Sequence, residues 1–576
     1  MSKLIRVNMN TKEVKTVDLP ERYTHLGGRA LTSQIVYDEV RPTCHPLSED
    51  NKLIIAPGLL SGTVAPSSGR VSIGAKSPLT KGIKESNGGG ITGQRMGALG
   101  IRAIVFEGLP KESEFHVLLV NDEGTKLIAH PDLAGKGTYE TTDILRKKYG
   151  NKAAVCCIGP AGEMLMSNAG IANCDTEGNS SRFCGRGGLG AVMGSKKIKA
   201  VVIDTAKTRP SDMHDEESFK AASKKFTKIL QDHPVTGKAL AAYGTNVLMN
   251  ILSEAGGLPT KNFSRGSFEQ ADAIGGETLA RVATERGGLA THRCMQGCVM
   301  ACSNEYPLPS GKKISPIEYE TAWAFGAHCE IGDLDIIGEL NWQANDIGLD
   351  TIEAGGTIGV LMEAGLIPWG DGKRAIETMD EVRTGSPLGR IIGQGAAFTG
   401  QAFGVTRIAA VKGQHMPAYE PRAVKGMGVT YATTPMGADH TAGYCVTANI
   451  LKVGGFVDPL KGEGQVDLSR NLQIATNLID SSGFCLFIAF AVLDNEEAMP
   501  LIIDMLNARY GWKLSVDDAF HNLGKLSLKA ERDFNIQAGF TKEQDRLPDF
   551  MLREKLAPHE VHFDIGEQEL DTLFNF

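Results

Sequence analysis

Along roughly the first two hundred positions, apolar and polar residues alternate in short runs of strand length. KLIRVNM, NKLIIAPGLL, GRVSIGAK, RAIVFEG and EFHVLLVND are bounded by Gly, Pro, Asn or Asp, and AAVCCIG and KAVVIDTA extend the series to Ala206. The stretch Arg209-Pro210-Ser211-Asp212 reads as a boundary. From Glu216 the period becomes helical: FKAASKKFTKIL is followed by GKALAAYGTNVLMNILSEAG, which ends at Gly256-Gly257-Leu258-Pro259. Helical patterning continues through IIGELNWQANDIGLDTIEAGGTIGVLMEAG. Near Gly413 a loop-rich stretch begins, QHMPAYEPRAVKGMGVTYATTPMGADH. LSRNLQIATNLIDSSGFCLFIAFAV and AMPLIIDMLNARYGW then return to helix. No period of about 20 to 50 residues recurs, which argues against a solenoid or propeller. The pattern predicts an α+β chain: a β-rich domain over 1–208, then mainly helical domains over 209–412 and 413–576.

Bulk properties narrow the function classes. A chain of 576 residues suggests three or four domains, and 42% hydrophobic with 22% charged residues is ordinary for a globular protein. The net charge of −8 speaks against nucleic acid or an anionic membrane surface as partner. The longest apolar run, Gly483 to Leu493, stops at Asp494, short of the roughly 20 residues that span a bilayer. MSKLIRVNMNTKE carries no apolar signal-peptide core, so a cytoplasmic location is expected. In that reducing compartment the eleven cysteines should be thiols or metal ligands. The 68 glycines, about 12% against an average near 7%, occur in short clusters, as where backbone approaches a ligand closely.

Three of the cysteines, Cys294, Cys298 and Cys302, recur at intervals of four. Iron–sulfur clusters commonly take three thiolates from one loop and a fourth from elsewhere. Zinc would show paired CxxC or His motifs, which are absent. One face of a helix would also give this spacing, but it would spread the outer thiols about 12 Å apart, so Gly297 is expected to mark irregular backbone. The radical S-adenosylmethionine loop, C-x3-C-x2-C, has a shorter second gap. Cys485, in the D-x-x-G-x-C segment from Asp480 through Gly483, is the expected fourth ligand. Upstream, Asn345, Gly348, Leu349 and Asp350 form a turn of the same shape, so the two turns suggest related binding sites.

Two glycine clusters carry basic or amide side chains. The first runs from Ser68-Gly69-Arg70 to Glu85-Ser86-Asn87-Gly88-Gly89-Gly90; the second is Arg182-Phe183-Cys184-Gly185-Arg186-Gly187-Gly188. Exposed backbone N–H groups with arginine suit a phosphate or other anion. Neither cluster is a Walker or Rossmann loop.

In their order along nearly the whole chain, GGRALTSQIVYDEV, SGR…SPLT, ESNGGG, GRGGLGAVMGSK, LPTKNF, EYET, GLDT, GADH and DSSGFC resemble the aldehyde:ferredoxin oxidoreductase family. The resemblance implies a β-rich pterin base followed by helical domains, with the cofactor at their interfaces. The metal, tungsten or molybdenum, would be held by the dithiolenes of two pyranopterins with no protein thiolate on it. It further implies that Arg70 lies between pterin and a 4Fe-4S cluster on Cys294, Cys298, Cys302 and Cys485. Asn87, Gly88 and Gly89 would contact pterin and a Mg2+ joining the phosphates. Gly185, Arg186 and Gly187 would form the second phosphate loop, with Arg182 also binding the cofactor. The turns Asn345, Gly348, Leu349, Asp350 and Asp480, Gly483, Phe484 would bind one pterin each. Glu320 and His440 match the acid/base pair near the metal.

The implied reaction is oxidation of an aldehyde to the carboxylate, with electrons leaving through the cluster to ferredoxin or a ferredoxin-like subunit. Either Glu320 or His440 would take the proton. Rivals are an aromatic acyl-CoA (benzoyl-CoA type) reductase subunit, and a non-catalytic iron–sulfur electron-transfer subunit. Three departures point to a divergent branch. The cysteine loop is C-x3-C-x3-C where familiar members have C-x2-C-x3-C, Asn345 replaces the usual Asp, and no E-x-x-H subunit-bridging motif is present. A hetero-oligomer is therefore expected.

Overall fold

The computed structural model describes residues 3–210 and 212–576. Met1 and Ser2 of the N-terminal stretch, and Ser211 of the expected boundary, lie outside the described residues.

All seven apolar runs read from the sequence form strands, and five more complete two six-stranded sheets. The first holds β1 (Lys3–Asn8), β2 (Glu13–Asp18), β3 (Leu53–Pro57), β4 (Val71–Lys76), β5 (Ile83–Gly88) and β6 (Ile101–Glu107). Its order is β2-β1-β6-β3-β4-β5, with only β1 and β6 parallel. The second holds β7 (His116–Asn121), β8 (Gly124–Ala129), β9 (Ala154–Cys157), β10 (Ile171–Cys174), β11 (Ser180–Cys184) and β12 (Ile198–Asp204). Its order is β8-β7-β12-β9-β10-β11, again with one parallel pair, β7 and β12. The two sheets have the same topology, so the β-rich region is a duplicated unit.

The duplication is written in the chain. Gly88, Gly90, Gly93, Met96, Gly97 and Ile101 recur at one constant offset as Gly185, Gly187, Gly190, Met193, Gly194 and Ile198. A Cβ on Gly97 would strike the carbonyl of Ser61, and one on Gly194 the carbonyl of Gly162. In both halves, then, a short helix after the last outer strand packs directly on backbone.

Beyond the sheets the chain is helical, with helices Glu216–Asp232, Leu334–Ile347, Thr351–Glu363, Gln465–Ser482 and Ala498–Tyr510. The pattern over 237–256 differs from the single helix expected: it is two pieces, Leu240–Tyr243 and Leu248–Glu254. The break falls at Gly244, with φ +62°, where a Cβ would sit 2.6 Å from the carbonyl oxygen of Cys302. The break thus lies directly against the backbone of Cys302. Within the loop-rich stretch after Gly413, Lys425–Thr433 is a buried helix.

The helical region clamps each half of the base in the same way. Gly348 and Gly483 end their helices in the left-handed conformation, at φ +86° and +91°. Arg70 N–H donates to the carbonyl of Gly483, and Cys485 N–H to that of Ser67. On the other half, Gly170 N–H donates to Gly348 and Asp350 N–H to Asn168. A Cβ on Gly58 would collide with Gly483, and one on Gly159 with Ile347. Two like turns sit on two like sheets.

Candidate active site

Cys294, Cys298 and Cys302 lie in the connection between two antiparallel strands, Leu289–His292 and Ser303–Pro307. The segment is not helical, and Gly297 takes φ +75°, the irregular backbone expected there. Cys485 follows the Gly483 turn. All four thiols are buried. Among the described residues, no three His, Cys, Asp or Glu side chains converge on a point where one metal ion could sit. The Cys298 thiol, helped by Arg182 and Arg70, pulls the Cys294 thiol down to about 6 against the cost of burial. Burial raises the Cys302 and Cys485 thiols, and Cys298 rises as Cys294 falls, so Cys294 is the thiol held toward thiolate, the form that binds iron.

A cavity of about 320 Å³ opens from these cysteines into the protein. Cys294, Cys302, Cys485, Arg70, Gly89 and Arg182 line one part of its wall, and Glu318, Glu320 and His440 belong to the same wall. Phe183, Tyr319, Tyr419, Tyr444 and Phe487 are its aromatic lining. Arg70 is held by Asn87, whose side-chain and main-chain oxygens both accept from its guanidinium. A Cβ on Gly89 would lie 3.4 Å from both Arg70 Nη1 and Cys294 Sγ. Arg182 lies at the cysteine end of this cavity, donating to Ser303 and Glu318, rather than in the loop of Gly185 and Gly187.

Glu320 and His440 face each other, with Oε1 3.4 Å from Nε2. Glu320 Oε2 accepts from the Ala418 N–H at 3.0 Å. Burial raises the Glu320 carboxyl to about 8, with Arg186 opposing, and lowers the His440 imidazole to about 4, with Asp439 opposing. In the neutral range the pair is thus a carboxylic acid beside a neutral imidazole. Tyr419 and Tyr444, joined through their hydroxyls at 2.9 Å, flank His440.

The remaining expected residues stand behind this cavity. Asn345 donates to Tyr139 and its carbonyl accepts from Thr138. Asp350 caps helix Thr351–Glu363 and pairs with Arg186 at 3.3 Å. Leu349 bridges to Ala169, and the Phe484 ring packs edge-on against Phe226, in the core. Asp480, raised to about 6 by burial, lies beside Arg29, which is clamped by Glu531. Gly185 approaches Asp350, and Gly187 lies over the Lys84 side chain. Asn87, Gly88, Cys298, Gly348 and Gly483 also lie outside the cavity lining.

Several polar residues that sequence patterning did not single out complete the site. Lys84, fully buried, pairs with Asp439 at 2.6 Å and so ties β5 to the loop carrying His440. Glu353, also fully buried, accepts from the N–H groups of Ala396 and His415, while Arg186 donates to the His415 and Ala438 carbonyls. The one available signal was a charge in an apolar or glycine-rich frame, as at Lys84 and Arg29.

The site fits a large anionic cofactor. Arg182 Nε, Glu320 Oε1 and His440 Nδ1 are buried without a protein hydrogen-bond partner. Among the described residues, the main-chain N–H groups of Gly89 and Arg186, equivalent by the repeat, donate to no protein acceptor. Unsatisfied buried donors of this kind call for a ligand.

Residues 4–205 match the model of the aldehyde ferredoxin oxidoreductase N-terminal domain, and residues 221–573 that of its domains 2 and 3. The tungsten-containing aldehyde ferredoxin oxidoreductases of Pyrococcus furiosus and Thermococcus kodakarensis are each 34% identical, over 97% of this chain and 93% of theirs. The WOR-like subunit of the aliphatic sulfonate oxidoreductase of P. furiosus is 25% identical over 93% of this chain and 86% of its own. The solved active site complex BamBC of benzoyl coenzyme A reductase with 1,5-dienoyl-CoA superposes with a TM-score of 0.81. It is 20% identical and covers all of this chain and 93% of its own.

Proposed function

This chain belongs to the aldehyde ferredoxin oxidoreductase family, and from that premise we propose that it oxidises an aldehyde to the carboxylate. Enzymes of the family are oxidoreductases that use a tungsten–pterin centre and an iron–sulfur cluster. The observation that carries the reading is the shared cavity, which joins Arg70 and three cysteines to the Glu320–His440 pair. A duplicated base with two matching turns suits a cofactor built of two like halves.

In this proposal Cys294, Cys298, Cys302 and Cys485 hold a 4Fe-4S cluster. The turns at Asn345–Asp350 and Asp480–Phe484 each take one pterin. The N–H groups around Gly89 and Arg186, with Asn87 nearby, bind the phosphates and a Mg2+ that joins them. When bound, the metal would accept the two electrons of the reaction and act as Lewis acid toward the substrate oxygen. The chain supplies position and proton transfer. Glu320 and His440 are both neutral near pH 7, the carboxyl carrying one proton and the imidazole one. Glu320, once ionised, accepts a proton from water or the hydrated aldehyde, and His440 Nδ1, facing no protein partner, relays it. The aromatic wall keeps bulk water from the reacting carbon. Electrons pass singly to ferredoxin or a ferredoxin-like subunit. The names of two relatives, a WOR-like subunit and an active site complex, support a multi-subunit assembly.

The test is aldehyde-dependent reduction of a viologen dye by protein purified without oxygen, with metal analysis of the same sample. Turnover with an aldehyde and tungsten beside iron supports the reading. Turnover only with an aromatic acyl-CoA thioester would assign the chain to ring reduction. Full iron with no metal–pterin and no turnover would leave an electron-transfer subunit.

A further inference from the structure

A second groove, of about 610 Å³, lies on the other side of the cysteine loop. Met295, Gln296 and Gly297, all between Cys294 and Cys298, form part of its floor. Gln296 is within two residues of either cysteine, and two residues of chain span at most about 7 Å. An occupant of this groove would therefore touch the backbone that carries two of the thiolates.

The groove is cationic on a chain whose net charge is −8. Arg95, Arg146, Lys152 and Arg293 line it against two carboxylates, Glu177 and Glu305. Among the described residues none of the four cations is ion-paired, whereas Glu305 is already bound by Lys313. Arg95 donates to the Lys207 carbonyl, and in the adjoining groove Lys207, Arg209 and Lys220 are already paired with Asp122 and Glu216. The unpaired cations are those of the cysteine-loop groove. Leu289, in its lining, is 50% exposed, and Val64, in the lining of the adjoining groove, is 49% exposed. Unpaired cations beside an exposed apolar side chain are the materials of a protein interface: an apolar anchor and steering charge.

We propose that this groove is the docking surface for the electron acceptor, a small acidic protein carrying a one-electron centre. It seats over Gln296 and Gly297, with carboxylates toward Lys152, Arg146, Arg95 and Arg293. The inference rests on the reading that the four cysteines hold a cluster, and deepens it by assigning the exit face. Each one-electron transfer leaves the cluster oxidised by one electron and the acceptor reduced by one, with no bond made or broken. Acidic surfaces are drawn to this face over the Debye length, so association should be steep in salt.

The experiment titrates the holoprotein with an acidic 4Fe-4S ferredoxin at low and high salt, and separately measures aldehyde-driven reduction of methyl viologen. Lys152→Glu, and Lys152→Glu with Arg146→Glu, are compared with the unaltered chain. The expected result is binding weakened about tenfold by the double change, a flatter salt dependence, and unchanged viologen reduction. Binding that is equal in the variants, or absent in the unaltered chain at low salt, overturns the proposal. Loss of viologen turnover in the variants to the same degree as binding would also overturn it, since the effect would then be on the fold. Should no aldehyde reduce viologen, the aldehyde reading falls, while the direct titration still decides the docking face.

Discussion

Oε1 of Glu320 lies 3.4 Å from Nε2 of His440, and burial moves the two groups in opposite senses, the carboxyl up to about 8 and the imidazole down to about 4. A carboxyl with a raised pKa stays protonated until the pH approaches that value. If Glu320 is the base, turnover should therefore climb as pH rises from 6 toward about 8 and then level. Glu320→Gln should remove that limb and lower kcat by at least about a hundredfold, with tungsten and iron content unchanged. A pH profile of kcat with metal analysis checks this; loss of the metal in the variant would refute a purely catalytic role.

Lys84 and Asp439 form a fully buried pair at 2.6 Å, and Lys84, Arg186 and His440 hold the Asp439 carboxyl well below the usual carboxylate range against the cost of burial. Lys84→Met leaves Asp439 without its closest cation. Unfolding free energy should fall by about 3–5 kcal/mol, read by chemical denaturation of the cofactor-free chain. Asp439→Asn combined with Lys84→Met should recover part of that loss.

Gly58 and Gly159 carry the two turns at equivalent contacts. Alanine at either position should destabilise the chain by about 1–3 kcal/mol through overpacking and lower metal–pterin content. Gly566, with open space around its Cβ and an ordinary φ, should tolerate alanine within about 0.5 kcal/mol. Equal effects at all three sites would contradict the docking role.

Cys294→Ser or Cys485→Ser should cost most of the bound iron and the visible absorbance of a cluster. Cys329, equally buried but bonded to the Ala324 and Gly355 carbonyls outside the cavity, should accept serine with iron retained. Iron analysis of the three variants separates ligand from core thiol.

Much of this was legible in the chain. Seven apolar runs gave strands because β-sheet burial imposes a short period that sequence retains. Cys294, Cys298 and Cys302 declared themselves because metal ligation demands one residue type at fixed spacing. The matching turns at Gly348 and Gly483 were visible because glycine is the residue most at ease in a left-handed helix end. The order of motifs pointed to the family. β5 and β11 escaped notice because they carry site residues such as Asn87 and Arg182, whose polarity hides the strand period.

What tertiary structure alone decided is adjacency. The constant offset of the glycines marks a repeat in the chain, but which strands pair across a hundred residues, and so the shared topology of the two sheets, does not show in it. Nor could any local pattern place Lys84 against Asp439, Glu320 against His440, or four scattered cations around the cysteine loop. Residue type and spacing are fixed by local geometry and so are written in the chain. Burial and the electrostatics that follow from it arise only when distant segments exclude water together, and the charge states of Glu320 and His440 belong to that second class.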